Sequence, residues 1–293
     1  MSNTILVTGA TGTVGSRVVQ ALARVAGVSV RAGVRNVEAY RRKGGLAAGA
    51  TPVAFDYTDP AILASALKGV DRVFVLTPLS PDQVELGESL LRSVRGTGVR
   101  HLVKLSAIGC EIEPGIQLGR WHRALERRIE ASGIPYTFVR TTNFMDNFVH
   151  YYPPTADGSI YLPLGDGAVS YIDARDVAAA VAAALTSDGH EGKAYAITGG
   201  EALTVAQVAA HIAEVTGRTI RYIDVPEADA RRQMLGSGAP PWLVDSMMEL
   251  HAIARAGYLS AVSPAVKELT GRQPRTFPEF ARDHATAWPA SKG

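Results

Sequence analysis

The chain is poor in the features that mark an extracellular, membrane-embedded or metal-dependent protein. Cys110 is the one cysteine in 293 residues. No intramolecular disulfide can form, and a reducing, cytoplasmic setting is expected. No apolar run reaches the length of about 20 residues that a membrane helix needs. The Ala-rich stretch from Val177 to Leu185 ends at Thr186-Ser187-Asp188 and reads as a helix buried against a sheet. The first apolar run, Ile5-Leu6-Val7, is too short for a secretory leader, and glycines follow it at once. Charge of one sign is also missing: thirty Lys plus Arg face twenty-eight Asp plus Glu. Such a balance gives no reason to expect nucleic acid or an anionic membrane as partner. The seven histidines include no close His-x-x-x-His pair, so no metal site is expected.

What is present is an α/β pattern. Short β-branched runs alternate with helical patterns through the first half, the signature of a parallel sheet. The strands expected are Thr4–Thr8, Val28–Val34, Pro52–Asp56, Arg72–Leu76, His101–Leu105 and Tyr136–Arg140. Asp59-Pro60 and Ser80-Pro81 read as helix starts, and Thr204 to Gln207 as a capping box. Asn143 to Gly167 is rich in aromatics, Pro and Gly, which suggests irregular structure near a site. The fold class expected is a doubly wound Rossmann sheet with a smaller C-terminal substrate lobe. The core spans residues 1–142, completed by about 165–200, and the lobe 143–164 with 201–293. A ligand cleft is expected between them.

Gly9-Ala10-Thr11-Gly12-Thr13-Val14-Gly15 follows the first strand and opens a helix carrying Val18, Val19 and Leu22. Gly9 permits the tight turn, Gly12 lets backbone approach a pyrophosphate, and Gly15 lets helix pack on strand. Unpaired N–H groups at the helix start then face the phosphates. An NAD-preferring site places an acid about 20 residues on, to hold the ribose hydroxyls. Here that position is Arg35, whose guanidinium suits a ribose 2′-phosphate. NADPH (or NADP+) is therefore the expected cofactor. Arg41-Arg42-Lys43 reads as a solvated helix face. Asp56 and Tyr57 follow the third strand, where side chains border an adenine. Thr77 and Pro78 end the fourth, at the edge where ligands of open sheets lie.

With Thr8-Gly9-Ala10-Thr11-Gly12 and Val34-Arg35-Asn36, the chain resembles the NmrA-like atypical short-chain dehydrogenase/reductases, and within them the type 2 quinone oxidoreductases and triphenylmethane reductases. The similarity continues in Gly133-Ile134-Pro135-Tyr136-Thr137 and Asn143-Phe144-Met145-Asp146-Asn147-Phe148. It runs on through Asp173 to Asp176, Gly192-Lys193-Ala194-Tyr195 and Leu269-Thr270-Gly271-Arg272. It implies an NADPH-binding Rossmann fold acting on quinones, dyes or related electrophiles. It also implies that Ser106, Ala107, Thr141, Asn143 and Phe144 border the nicotinamide, and that Phe144 and Phe148 belong to the substrate side. Trp242 and Met247, in an apolar cluster on a helix after Pro240-Pro241, could add a pocket wall.

The departures from the family pattern narrow the chemistry. Ketone-reducing members pair a serine with Tyr-x-x-x-Lys. Ser106 holds the serine-like place, but the following helix reads Arg120-Trp121-His122-Arg123-Ala124-Leu125-Glu126. His122 lies where the NmrA-like branch carries Lys or His, and its ordinary pKa near working pH suits a proton donor. Glu126, one turn on, could orient it, although a solvated side chain is the plainer reading. Cys110 reads as a buried bystander. An acceptor that is already electrophilic needs no more than this. The expected function is NADPH-dependent hydride transfer to a quinone, enone, imine or dye-like aromatic, with a small-molecule partner and the chain a homodimer or monomer. The alternative is a dinucleotide-binding redox sensor that acts through a protein partner.

Overall fold

The computed structural model describes residues 3–42 and 49–289; Lys43 of the basic run lies outside them. In chain order the first elements are β1 (Asn3–Val7), α1 (Thr13–Leu22), β2 (Val28–Val34), α2 (Val37–Arg42), β3 (Ala50–Ala54) and α3 (Pro60–Leu67). β4 (Arg72–Val75), α4 (Gln83–Val94), β5 (His101–Ala107), α5 (Gln117–Ala131) and β6 (Tyr136–Thr141) follow. Then come α6 (Asn147–His150), β7 (Ser159–Leu162), α7 (Ala174–Thr186), β8 (Lys193–Ile197), α8 (Val205–Thr216) and β9 (Arg221–Asp224). The chain ends with α9 (Glu227–Gly236), α10 (Pro241–Arg255), α11 (Ala265–Thr270) and α12 (Phe277–Asp283). None of the described helices is long and apolar enough to cross a membrane.

Seven of these strands form one sheet in the order β3-β2-β1-β4-β5-β6-β8, and β7 pairs with β9 apart from it. The pairs β1–β2, β1–β4, β2–β3, β4–β5 and β5–β6 are all parallel. This is the doubly wound order, in which the chain reverses direction across the sheet between β1 and β4. The crevice outside the carboxyl ends of those two strands is the place such sheets bind ligands. Ile5, Leu6 and Val7 of β1 and Val73 and Phe74 of β4 have no exposed surface, which is why these strands read as unbroken apolar runs.

Two compact units divide the chain. The first comprises Met1–Gly115, Gly119–Thr141 and Ala174–Ala196; the second Ile116–Leu118, Thr142–Asp173 and Ile197–Gly293. In the first, Asp59 caps α3 as its sequence indicates, its Oδ1 accepting from the N–H groups of Ala61 (2.8 Å) and Ile62 (3.1 Å). α4 begins later than Ser80-Pro81 suggests. Ser80 instead closes a turn, its carbonyl accepting from Gln83 N (3.1 Å), and Asp82 takes the cap position. In the second unit the capping box at Thr204 and Gln207 forms with both reciprocal bonds. Phe148, Tyr171, Phe277, Phe280 and Trp288 make its aromatic core, and Trp288 Nε1 donates to the Phe148 carbonyl (2.8 Å). Val169 and Ile172 lie outside the strands and make single bridges, to Leu203 and Phe144.

Candidate functional site

The loop after β1 is shaped by what its glycines leave room for. Gly9 has φ +63°, and a Cβ there would meet Leu76 Cδ2 at 2.3 Å. At Gly15 a Cβ would stand 2.0 Å from the Gly9 carbonyl oxygen. Both must be glycine for the protein's own packing. Gly12 is different: a Cβ there would find Gly9 O at 3.5 Å and nothing closer, so nothing in the fold demands a glycine. The space above it fits a ligand that approaches the backbone. Gly12 also caps α1 with no side-chain bond, and the first turn holds no acid. The backbone N–H groups of Thr13, Val14 and Gly15 therefore point out of an uncapped, positive helix start, the arrangement that receives phosphate. Thr11, Gly12 and Thr13 are exposed, while Val14 and Gly15 are buried.

Around this loop the carboxyl ends of the strands bring several expected residues together. Thr8 is fully buried and staples β1 to β4, donating to Phe74 O (3.0 Å) and accepting from Leu76 N (2.8 Å). Arg35 is exposed at the end of β2 and makes no hydrogen bond or ion pair with the described residues. Asp56 is near enough to feel its charge, but its Oδ1 is taken by Thr58 N (2.9 Å) and Thr58 Oγ1 (2.7 Å). Those two bonds, more than Arg35, hold the Asp56 carboxyl below its ordinary pKa. Thr77 is half-buried and Pro78 exposed beyond β4. This loop and the first residue of α4 bury two polar atoms without partners among the described residues, Ser80 Oγ and Gln83 Nε2. Neither residue sits in a recognisable binding motif. Orphaned groups at the switch point are what a polar ligand would satisfy.

Two expectations need correction in this unit. Tyr57 does not offer its ring to an adenine. It is 8% exposed in the core under α3, and its hydroxyl donates to Thr8 Oγ1 and Leu76 O, both at 3.0 Å. It supports the loop from below. Ser106 likewise turns inward: it is 2% exposed, with Oγ 3.9 Å from Cys110 Sγ and a bond to Glu126 that holds that carboxyl down. Strand alternation puts Ser106 and Lys104 on one face, under α5. Its hydroxyl is therefore committed to the protein, and Ala107, next along β5, is the half-buried neighbour.

α5 covers a dense polar cluster. Glu126 is not solvated but wholly buried, accepting from Arg140 Nε (3.0 Å) and Nη2 (2.8 Å) and from Arg123 Nη1 (3.0 Å). Burial alone would raise its pKa, yet the Arg140 and Ser106 bonds outweigh it and keep the carboxylate charged. Cys110 is buried, as expected for a bystander, and burial pushes its thiol up to about 12. His122 bonds through Nδ1 to Lys104 Nζ (2.9 Å). Burial first, and the Lys104 charge second, depress its pKa well below the ordinary value. The half-buried ring is thus disfavoured as a cation, the reverse of what a donor that charges near working pH needs. Neither Lys104 nor the Glu126–Arg140 pair carries a sequence motif.

In the second unit, Thr142 Oγ1 is buried without a partner among the described residues. The Asn143 carbonyl accepts from Ile172 N (3.0 Å), which fixes the backbone and leaves the Asn143 and Phe144 side chains half-buried. Phe148 is corrected from pocket wall to core: it is 1% exposed and meets Tyr171 and Phe277 edge to face. Met247 packs on the cluster of Ala230, Val244 and Met248, and Trp242 is half-buried at the start of α10.

The strand order, the glycine loop and the uncapped helix define a Rossmann protein built to hold a dinucleotide. The NmrA-like family model matches residues 1–281, and the chain belongs to that family. An NAD(P)H azoreductase of Xenophilus azovorans is 42% identical over 98% of this chain and 100% of its own. The structure of the Escherichia coli quinone oxidoreductase QOR2 with NADPH superposes with TM-score 0.84 at 28% identity, covering 95% of this chain and 99% of that one. That of Citrobacter sp. triphenylmethane reductase with NADP(H) gives 0.82 at 27%, covering 97% and 99%.

Proposed function

We propose that the protein is an NADPH-dependent reductase of conjugated electrophiles, with azo compounds, quinones and triphenylmethane dyes as the first acceptors to try and enones and imines after them. The observation that carries the reading is the pairing of an uncapped α1 start over Gly12 with an unpaired Arg35 at the end of β2. The first receives the pyrophosphate and the second the ribose 2′-phosphate, which an acid in that position would repel. The activities of the relatives supply the acceptor class. When bound, the dinucleotide supplies the hydride. Thr77, Pro78, Ser80 and Gln83 border it beyond β4, and Ala107, Thr141, Thr142 and Asn143 beyond β5 and β6. Phe144, Trp242 and Met247 offer apolar and aromatic surface to a flat acceptor.

The absence of Tyr-x-x-x-Lys fits such acceptors, because their carbon or nitrogen centre is already electrophilic. Orientation and exclusion of water supply much of the rate, and one donor for the heteroatom completes the reaction. His122 is that donor, through Nε2. The reaction runs in a reducing cytoplasm, with the chain a monomer or homodimer. The test is consumption of NADPH, against NADH, over a panel of azo dyes, quinones, enones, imines and triphenylmethane dyes. Saturable NADPH loss with one class is expected. Tight NADPH binding with no turnover across the panel would overturn the reading and favour a redox sensor with a protein partner.

A further inference from the structure

Lys104 is a charge placed where a charge is costly. It stands on β5 at 1% exposure, and its Nζ makes two hydrogen bonds, to the Leu105 carbonyl (2.9 Å) and to His122 Nδ1 (2.9 Å). Both partners are neutral. Glu126 attracts the ammonium through space, yet it takes its own three bonds from Arg140 and Arg123 and none from Lys104. Beyond that attraction the ammonium is placed by what it touches, and apart from a main-chain carbonyl its one hydrogen-bond partner among the described residues is a ring nitrogen.

An ammonium has three donors and no acceptor. The nitrogen it meets must present a lone pair, so Nδ1 of His122 is unprotonated and the ring proton sits on Nε2. We infer that Lys104 is a positioning residue that locks His122 in the Nε2–H tautomer, making its other ring edge a fixed hydrogen-bond donor toward the acceptor's heteroatom. Nε2 has no partner among the described residues. The inference rests on His122 as donor, and follows the general pattern in which a second group fixes the tautomer of a catalytic imidazole.

The pair also solves a problem of proton balance. A neutral imidazole that gives up its Nε2 proton would become an imidazolate, which is unfavourable. With Lys104 in contact, the Nε2–H bond breaks as the acceptor's O–H or N–H bond forms, and Nζ–H breaks as Nδ1–H forms. The ring stays neutral throughout. Lys104 is left as the amine; before the next turnover Nε2 takes a proton from solvent as the Nδ1 proton passes back to Nζ, and the lock re-forms. The electron pair of the reduction comes with the hydride of NADPH, as in the function proposed above.

The arrangement has a pH limit. The titratable and charged groups around Lys104 are His122 on α5, Glu126 on α5, Cys110 after β5 and Arg140 on β6. Burial is the largest influence and brings Lys104 down to about 8, with Glu126 and Cys110 opposing and Arg140 assisting. Above that pH the amine can accept from Nδ1–H, the other tautomer becomes allowed, and Nε2 turns from donor to acceptor.

The test is the nitrogen NMR spectrum of the full-length protein with 15N-labelled histidine, His122 being assigned by loss of its signals in His122→Gln. The wild type is expected to show Nε2–H and bare Nδ1 at neutral pH, passing to a tautomer mixture as pH rises through about 8. Lys104→Met is expected to show the mixture at all pH values and a higher His122 pKa. Its kcat should fall by on the order of a hundredfold, its NADPH affinity should hold, and its alkaline limb should vanish. An Nδ1–H ring in the wild type at neutral pH would overturn the role of Lys104 and needs no variant that folds. Unchanged kcat and pH profile in Lys104→Met would do the same. Full turnover in His122→Gln would instead remove the donor itself, so the two failures are told apart.

Discussion

The loop at Gly9–Gly15 and the cluster under α5 are a few residues from strand ends of the same sheet, yet they are built in opposite ways. The loop strips side chains away until only backbone N–H groups and a helix start remain. The cluster gathers Lys104, His122, Arg123, Glu126 and Arg140, with Lys104 and Glu126 fully buried and the other three partly exposed. A backbone site is assembled within seven consecutive residues and costs no charge burial. A side-chain site of this kind joins β5, α5 and β6, and each charge in it depends on the others. The two regions should therefore break differently.

The largest effect is expected in the cluster. Glu126→Ala leaves Arg140, whose side chain is 16% exposed, without its buried partner, and should lower stability by about 3–5 kcal/mol in urea unfolding. Lys104→Met should act in the other direction. The ammonium is held at about 8, below its ordinary value, so between there and the ordinary value the unfolded chain binds the proton and the folded chain does not. Its burial costs stability below about pH 8, and the cost fades as pH rises toward the ordinary value. Removing the charge should raise stability at pH 7 by up to about 3 kcal/mol while slowing turnover. A loss of stability at pH 7 would show that Lys104 is structural.

The loop offers a sharper contrast within itself. Gly15→Ala drives a Cβ to 2.0 Å from Gly9 O and should cost about 1–3 kcal/mol along with NADPH binding. Gly12→Ala meets nothing closer than 3.5 Å. Its unfolding free energy in urea should be nearly unchanged, within about 0.5 kcal/mol, while NADPH affinity by fluorescence titration falls roughly tenfold, about 1.4 kcal/mol. Equal losses in both properties for both variants would mean that Gly12 is a packing glycine after all.

The same contrast explains what the sequence made legible. The strand order's consequences, the loop and Arg35 are local: a run of apolar residues, a glycine spacing and one basic residue about 20 positions on carry them. Position along the chain is no guide to Tyr57, Ser106, Phe148 and Glu126, whose side chains turn to other partners. Tyr57 is drawn beneath the loop by Thr8, Ser106 is turned under α5 by strand alternation, Phe148 joins the aromatic core of the second unit, and Glu126 is buried by Arg140 from β6. Each was decided by a partner far off in sequence. Lys104 carried no motif because a lysine in an apolar strand shows its meaning only once α5 lies across it.

The measurement that tests the central claim most directly is the rate of NADPH and of NADH consumption with one quinone, in the wild type and in Arg35→Asp. The wild type should turn over NADPH in preference to NADH, and the variant should lose NADPH affinity tenfold or more, about 1.4 kcal/mol, while NADH is little affected. Equal use of the two dinucleotides by the wild type, or unchanged NADPH affinity in Arg35→Asp, would contradict the assignment of the 2′-phosphate to Arg35 and with it the cofactor on which the proposed reaction depends.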